Sequence, residues 1–186
     1  NTNKVQLNEL PNGDMQKIDA VVNAEEHHMF IDCSNIFYPC SGMKNPLNNE
    51  PLTLNIHELV KVIEKERDVV NKHVVSSTKL AYLERAWKKY HYNYYVSSLN
   101  QYGKEVKVDE ILQIQILKAM MQESTKKQVF VLLTGDGNHN DGRMSFPDCV
   151  ELAVKKRIRV EIWSWQSRLS KRYVQLQTTY PDLIKI

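Results

Sequence analysis

The chain has 186 residues, of which 42% are hydrophobic and 25% are charged, and its formal net charge is +3. This composition is that of one compact globular domain, and it excludes a small scaffold that needs disulfides to fold. The charge is too small to indicate a polyanionic partner by itself, and no run approaches the roughly 20 apolar residues that a membrane span requires.

The three cysteines, Cys33, Cys40 and Cys149, lack C-x-x-C spacing. An odd and small number argues against a disulfide framework or a zinc site and favours a reducing compartment. The Asn-rich start resembles neither a signal peptide nor a transit segment. We therefore expect an intracellular protein, in the cytoplasm or the nucleus, with no membrane partner.

The beginning of the chain is polar. Residues 1–26 show no strong hydrophobic periodicity, so we expect a loosely attached lead-in followed by a single domain over residues 27–186. A short apolar run predicts the first strand at residues 29–31, with about one further residue on either side.

Residues 37–55 contain Pro39, Pro46 and Pro51 among Gly and Asn residues, which predicts a long irregular loop. Asn55, with Glu58 three positions later, then predicts a helix N-terminus. The elements predicted after it are a helix at residues 56–67, a strand at 69–76, a helix at 79–90, a strand at 92–99 and a helix at 110–121.

The apolar, β-branched run at residues 129–133 predicts a strand buried on both faces. Ser145 and Asp148, on either side of Pro147, predict a capping box. The remaining elements are a helix at residues 146–156, a strand at 158–163 and a closing helix at 168–176. Strands that alternate with helices predict a three-layer α/β/α fold with a mostly parallel central sheet of about five strands.

Acidic residues occupy the ends of predicted elements. Asp32 follows the first strand, Asp136 follows the strand at residues 129–133, and Asp109 precedes the helix between them. Ligands bind at the carboxyl ends of parallel strands, so these acids are expected in one cleft. Converging carboxylates repel one another unless a cation is present, which indicates a site for Mg²⁺ or Mn²⁺.

Four segments resemble, in order, the motifs of the NYN domains, which are PIN-like ribonucleases, and the resemblance covers residues 29–173. The segments are Asp32-Cys33-Ser34-Asn35, Lys107-Val108-Asp109, Leu133-Thr134-Gly135-Asp136-Gly137-Asn138 and Arg159-Val160-Glu161-Ile162-Trp163. The resemblance implies a PIN-like fold and metal-dependent cleavage of RNA phosphodiesters. By position, it makes Asp32, Asp109 and Asp136 metal-site carboxylates, and it makes Asn35 a residue that orients the site or the substrate.

One position departs from the family pattern. Asn138 stands where family members commonly carry a further acid. Either Asp141 supplies the fourth acid or the site holds only one metal firmly. Two functions therefore remain open, a metal-dependent endoribonuclease and a catalytically silent module that binds RNA or protein.

Local structure offers another reading of two of these residues. Asp109 is also a suitable helix N-cap, because Asp is among the best capping residues. Asn35 could equally satisfy backbone groups of a loop.

Cations interleaved with aromatic rings indicate a single-stranded RNA substrate, because phosphates pair with Lys and Arg while unpaired bases stack on rings. Charge runs on solvated helix faces are the alternative. The substrate-binding candidates are Asn35, Lys107, Asn138, Arg143, Trp165 and Arg168. Assembly as a homodimer or within a larger RNA-processing complex is left open.

Overall fold

The computed structural model describes residues 24–77, 79–99, 105–106, 108–137 and 142–186. The strands are β1 Glu25–Asp32, β2 Val69–Ser76, β3 Asn93–Val96, β4 Ser98–Leu99, β5 Glu105–Val106, β6 Lys127–Leu133, β7 Arg159–Trp163 and β8 Ile184–Lys185. The helices are α1 Cys33–Ser41, α2 Ile56–Glu64, α3 Ala81–Lys88, α4 Val108–Met120, α5 Phe146–Lys155 and α6 Lys171–Thr179, with a 3₁₀ turn at Gln166–Arg168. Most of the predicted lead-in, residues 1–23, lies outside the described residues.

Six strands form one parallel sheet in the order β3-β2-β1-β6-β7-β8. β1 and β6 lie side by side at its centre, with Met29 opposite Val131 and Ile31 opposite Leu133. Because the two strands are parallel and end at the same level, the residues that follow them meet at one edge of the sheet. The strand order also reverses between β1 and β6, which is where ligands bind in open α/β sheets.

Helices cover both faces of this sheet. Side chains alternate along β1, so Met29 and Ile31 pack with α1, α2 and α3, whereas Phe30 packs with α4 and α5 on the opposite face. The predicted three-layer α/β/α fold is confirmed, with six strands in the sheet rather than about five. No helix in the described residues is long and apolar enough to span a membrane.

Local capping signals were accurate guides to helix starts. The Asn55 side chain accepts a hydrogen bond from the backbone nitrogen of Glu58 and begins α2. Ser145 and Asp148 form the predicted capping box of α5. β2 has the predicted bounds.

The prediction of an irregular loop from residue 37 was wrong in its first part. Residues 37–41 complete α1, which begins directly after β1 with Asp32 as its N-cap and contains Pro39. The polar residues after Asp32 look like a loop in sequence, but they form the first helical turn, because the Asp32 carboxylate accepts a backbone N–H there.

The other differences concern short elements. The predicted strand at residues 92–99 is divided into β3 and β4, and β4 pairs antiparallel with β5 outside the main sheet. The closing helix starts at Lys171, three residues after its predicted start, because Ser170 caps it. β8 was not predicted, since two residues carry too little hydrophobic pattern to be recognised.

Candidate active site

Asp32 ends β1 and at the same time caps α1, so its carboxylate is fixed at the carboxyl edge of the sheet. Three donors hold it. The backbone nitrogen of Asn35 donates to Oδ1 at 3.2 Å, while Asn35 Nδ2 at 2.6 Å and Thr134 Oγ1 at 3.2 Å donate to Oδ2. Both oxygens of the carboxylate therefore accept hydrogen bonds from the protein.

The Asp32 side chain is buried, with 1% of the residue exposed. Burial raises its pKa from 3.8 to about 6, the hydrogen bonds from Asn35 and Thr134 oppose that shift, and the charge of Asp136 adds to it. A buried carboxylate that ionises only near neutral pH is costly for the fold, and it is a group that a cation would stabilise.

Asp136 reaches the same edge of the sheet through a loop after β6. Thr134 links the two acids, because its hydroxyl donates to Asp32 and accepts a hydrogen bond from the Asp136 backbone nitrogen at 3.2 Å. The buried Tyr173 hydroxyl donates to the Asp136 carbonyl oxygen at 2.7 Å. Hydrogen bonds therefore connect the Asp136 loop to both β1 and α6.

Two glycines allow the segment after β7 to pack on this loop. A Cβ atom on Gly135 would lie 2.4 Å from the Arg168 carbonyl oxygen and 2.5 Å from Ser164 Oγ. One on Gly137 would lie 2.0 Å from Ser170 Oγ. The Asp136 loop thus needs glycine on both sides because the neighbouring chain lies in the space that a side chain would fill.

These elements enclose a cleft of about 390 Å³. Its lining residues are Asn35, Gly135, Asp136, Gly137, Arg168 and Ser170. Three of the predicted site residues, Asn35, Asp136 and Arg168, therefore line one cavity. Asp32 is buried beside it and accepts two hydrogen bonds from Asn35.

The donor atoms suit a hard cation. Asp32, Asp136, Thr134 and Asn35 provide carboxylate, hydroxyl and amide oxygens, which are the ligands that Mg²⁺ and Mn²⁺ prefer. Mg²⁺ commonly binds through one or two carboxylates together with substrate phosphate oxygens, so this pair of acids fits such an ion.

Asp109 lies in the first turn of α4 and is partly buried. In the part of the chain that the structure describes, no group of three or more His, Cys, Asp or Glu side chains is placed to hold a metal ion. The structure thus brings Asp32 and Asp136 together but does not gather Asp109 into a three-carboxylate group with them. Asn138, Asp141 and Lys107 lie outside the described residues.

The predicted cations occupy different surroundings. Arg168 is exposed and lines the cleft. Arg143 is exposed but forms an ion pair with Glu110, at 3.1 Å between Nη1 and Oε1. This pair connects the chain after the Asp136 loop to the first turn of α4.

Trp165 is partly buried, and its indole nitrogen donates to the Ile36 carbonyl oxygen at 2.9 Å. This bond ties the loop after β7 to α1. No local pattern predicts this bond, because it joins residues 129 positions apart.

Three residues at the site were missed as site residues in the sequence. Thr134 bridges the acids, Ser170 lines the cleft, and Arg172 donates to Gly137 O at 3.4 Å, Ser145 Oγ at 2.9 Å and Asp148 Oδ1 at 2.8 Å. Thr134 had a signal, since a hydroxyl two residues before a strand-end acid can reach that acid's backbone nitrogen, and Arg172 belongs to the basic residues that follow the two tryptophans in sequence.

Cys33, next to Asp32, is not a nucleophile. Burial raises the pKa of its thiol to about 12, so the thiolate is absent at neutral pH.

Comparison with known proteins gives one match. A family model described as the NYN domain matches residues 28–180. Searches of curated proteins and of solved structures found no match.

Proposed function

The chain belongs to the NYN domain family of PIN-like nucleases, and from that premise we propose that it is a metal-dependent endoribonuclease acting on single-stranded RNA. The observation that supports this most is the Asp32–Thr134–Asp136 network at the carboxyl edge of β1 and β6. It holds two acids beside a cleft that also contains an arginine.

In this proposal Asp32 and Asp136 would hold Mg²⁺ or Mn²⁺, and Asp109, in the first turn of α4, would be a further acid of the site. When bound, such an ion supplies a water of lowered pKa and stabilises negative charge on the leaving oxygen. Asn35 keeps both Asp32 oxygens in place, and Thr134 keeps Asp136 aligned with Asp32.

The remaining cleft residues act on the substrate. Arg168 is placed to neutralise a phosphate in the cleft, and the Ser170 hydroxyl offers a hydrogen bond. Asp136 faces the same cavity, so the scissile phosphate would lie between a cationic wall and an acidic one. Single-stranded RNA suits this cleft because its phosphates and bases are free of a partner strand.

The alternative is a silent module that keeps the fold and binds RNA or a protein partner. Two observations favour it. Asn138 replaces an acid of the family pattern, and the described residues contain no group of three metal-binding side chains.

Cleavage of a labelled single-stranded RNA with Mn²⁺, followed on a denaturing gel, separates the two. The wild type should cut, Asp136→Asn should lose cleavage by orders of magnitude because the charge that holds the ion is gone, and Asn138→Asp should gain. Asp182→Asn is the matched control, since this exposed acid lies beyond α6, near the start of β8.

A second measurement does not depend on activity. Mn²⁺ should raise the melting temperature of the wild type by mass action and should leave Asp136→Asn unchanged. The protein would belong to the silent class if Mn²⁺ did not stabilise the wild type and the wild type did not cleave RNA, while Asn138→Asp was stabilised by Mn²⁺ and cleaved RNA.

A further inference from the structure

A second cavity, of about 170 Å³, lies beside the cleft, and its wall is mostly apolar. Ile36 and Leu133 form the wall of this cavity near the acids. Leu54 and Leu59 lie around the start of α2, and Trp163 and Trp165 lie at the end of β7 and just after it. We call it the tryptophan cavity.

The tryptophan cavity and the cleft share a wall. Ile36 lines the cavity and the preceding residue, Asn35, lines the cleft. On the other side Ser164 lines the cavity, and its hydroxyl lies 2.5 Å from where a Cβ of the cleft residue Gly135 would be. A flexible polymer could thus occupy both spaces with adjacent groups.

The two indoles have their polar atoms engaged within the protein. Trp165 Nε1 donates to Ile36 O at 2.9 Å, and Trp163 Nε1 donates to Glu161 Oε2 at 3.4 Å. Both rings are partly exposed. What they offer to a ligand is therefore carbon surface, which a flat aromatic group covers well.

We propose that the tryptophan cavity receives one unpaired base of the RNA, on the nucleotide next to the phosphate held in the cleft. This inference rests on the proposed function, because the phosphate anchors the chain there. A nucleotide places a charged group and a flat apolar group side by side, as the two cavities do. Stacking on rings tolerates any base, so the cavity gives position rather than sequence preference.

The test is an abasic scan. Wild-type protein in EDTA, which prevents cleavage, binds short single-stranded RNAs in which one abasic ribose is moved along the chain, and affinity is measured by fluorescence anisotropy. One position should weaken binding by about tenfold relative to the intact RNA, the size expected for one stacked base, and the other positions should have smaller effects.

Leu59→Phe fills the cavity from α2. In this variant the affinity should no longer depend on the position of the abasic ribose. Val62→Phe is the matched control, because Val62 lies on the same helix with 55% exposure and should keep the wild-type pattern. Thermal melts of both variants check that the fold is intact. Trp165→Leu removes one ring of the cavity and should likewise make the affinity independent of the abasic position.

A flat scan in the wild type, absence of RNA binding, or a scan unchanged in both Leu59→Phe and Trp165→Leu would overturn the proposal. So would competition by a leucine-rich peptide with no response to base deletion, which would assign the cavity to a protein ligand. If the wild type cleaved RNA but its affinity did not depend on the abasic position, the nuclease proposal would hold and the cavity proposal would fail. A position-dependent scan in a protein that never cuts would preserve the cavity proposal and refute the nuclease.

Discussion

Asn35 donates a hydrogen bond to each oxygen of the Asp32 carboxylate, from its backbone nitrogen to Oδ1 and from Nδ2 to Oδ2. The first bond begins α1 and the second fixes the orientation of the acid. A single helical turn therefore positions the most buried acid of the site, and the positive end of the helix dipole lies beside its charge.

Asn35→Ala should raise the pKa of Asp32 above about 6 and destabilise the fold by about 1–3 kcal/mol, because the buried Oδ2 atom loses one of its two donors. NMR titration of the Asp32 carboxyl carbon measures the pKa. Asn48→Ala is the control, since Asn48 makes the same kind of bond to Glu50 in exposed surroundings. An unchanged Asp32 titration would contradict the assigned role of Asn35.

Asp32→Asn should remove the loss of stability that ionisation of Asp32 causes near neutral pH, while abolishing cleavage. The folded pKa of about 6 exceeds the unfolded value, so protonated Asp32 adds stability below about pH 4, and that stability is lost as the pH rises through 6. The variant's unfolding free energy relative to wild type should rise by up to about 3 kcal/mol between pH 4 and pH 7, added to a constant cost because the amide nitrogen of Asn cannot accept the bonds that both Asp32 oxygens accept. Urea unfolding from pH 4 to 8 provides the comparison, and a difference independent of pH would refute it.

The two arginines should differ in their effect on RNA binding. Arg168→Ala should reduce the slope of log affinity against log salt by about one charge, because Arg168 lines the cleft and is exposed. Arg143→Ala should change it less, because Glu110 already neutralises that side chain. Glu110→Gln should strengthen RNA binding, because it releases the charge of Arg143. Equal slopes for both arginine variants would show that the ion pair does not matter.

Gly135→Ala should destabilise the fold by about 1–3 kcal/mol, because its Cβ would meet the Arg168 carbonyl oxygen and force one loop to move. Asp136 should shift with it, so Mn²⁺ stabilisation should also fall. Gly42→Ala is the control, since the new Cβ would be 3.6 Å from Pro39 O, an ordinary contact. Similar melting temperatures for both variants would mean that the close approach is not required.

His73 should make the fold sensitive to acid. Burial lowers its pKa to about 4, assisted by the nearby charges of His28 and Lys118, and its ring stacks on Phe30. The lowered pKa gives stability above pH 6.5 that is lost as the pH falls toward 4.

His73→Phe keeps an aromatic ring in the stack and should remove up to about 3 kcal/mol of the loss in unfolding free energy between pH 6.5 and 4. His57→Phe is the control, because half of the His57 side chain is exposed. Equal acid sensitivity in the wild type and His73→Phe would contradict the prediction.

Much of the fold could be predicted because its signals are local. Asn55 and Ser145 predicted helix N-termini because each has a suitable capping partner three positions later. The apolar runs of β1 and β6 predicted buried strands. Asp32 and Asp136 were found for the same reason, since a polar residue directly after a buried strand is visible in sequence. The turn after Asp32 was misread, because a helix start and a polar loop share the same residues.

The sequence by itself thus determined most of the elements, the layers they form and the acids at their ends, because hydrophobic period and capping act within a few residues. Only the tertiary structure decided which side chains meet. Thr134 reaches Asp32 across 102 positions, Trp165 reaches Ile36 across 129, and Arg143 pairs with Glu110 across 33. These contacts depend on strand order and on close approach at Gly135, and neither leaves a periodic signal along the chain.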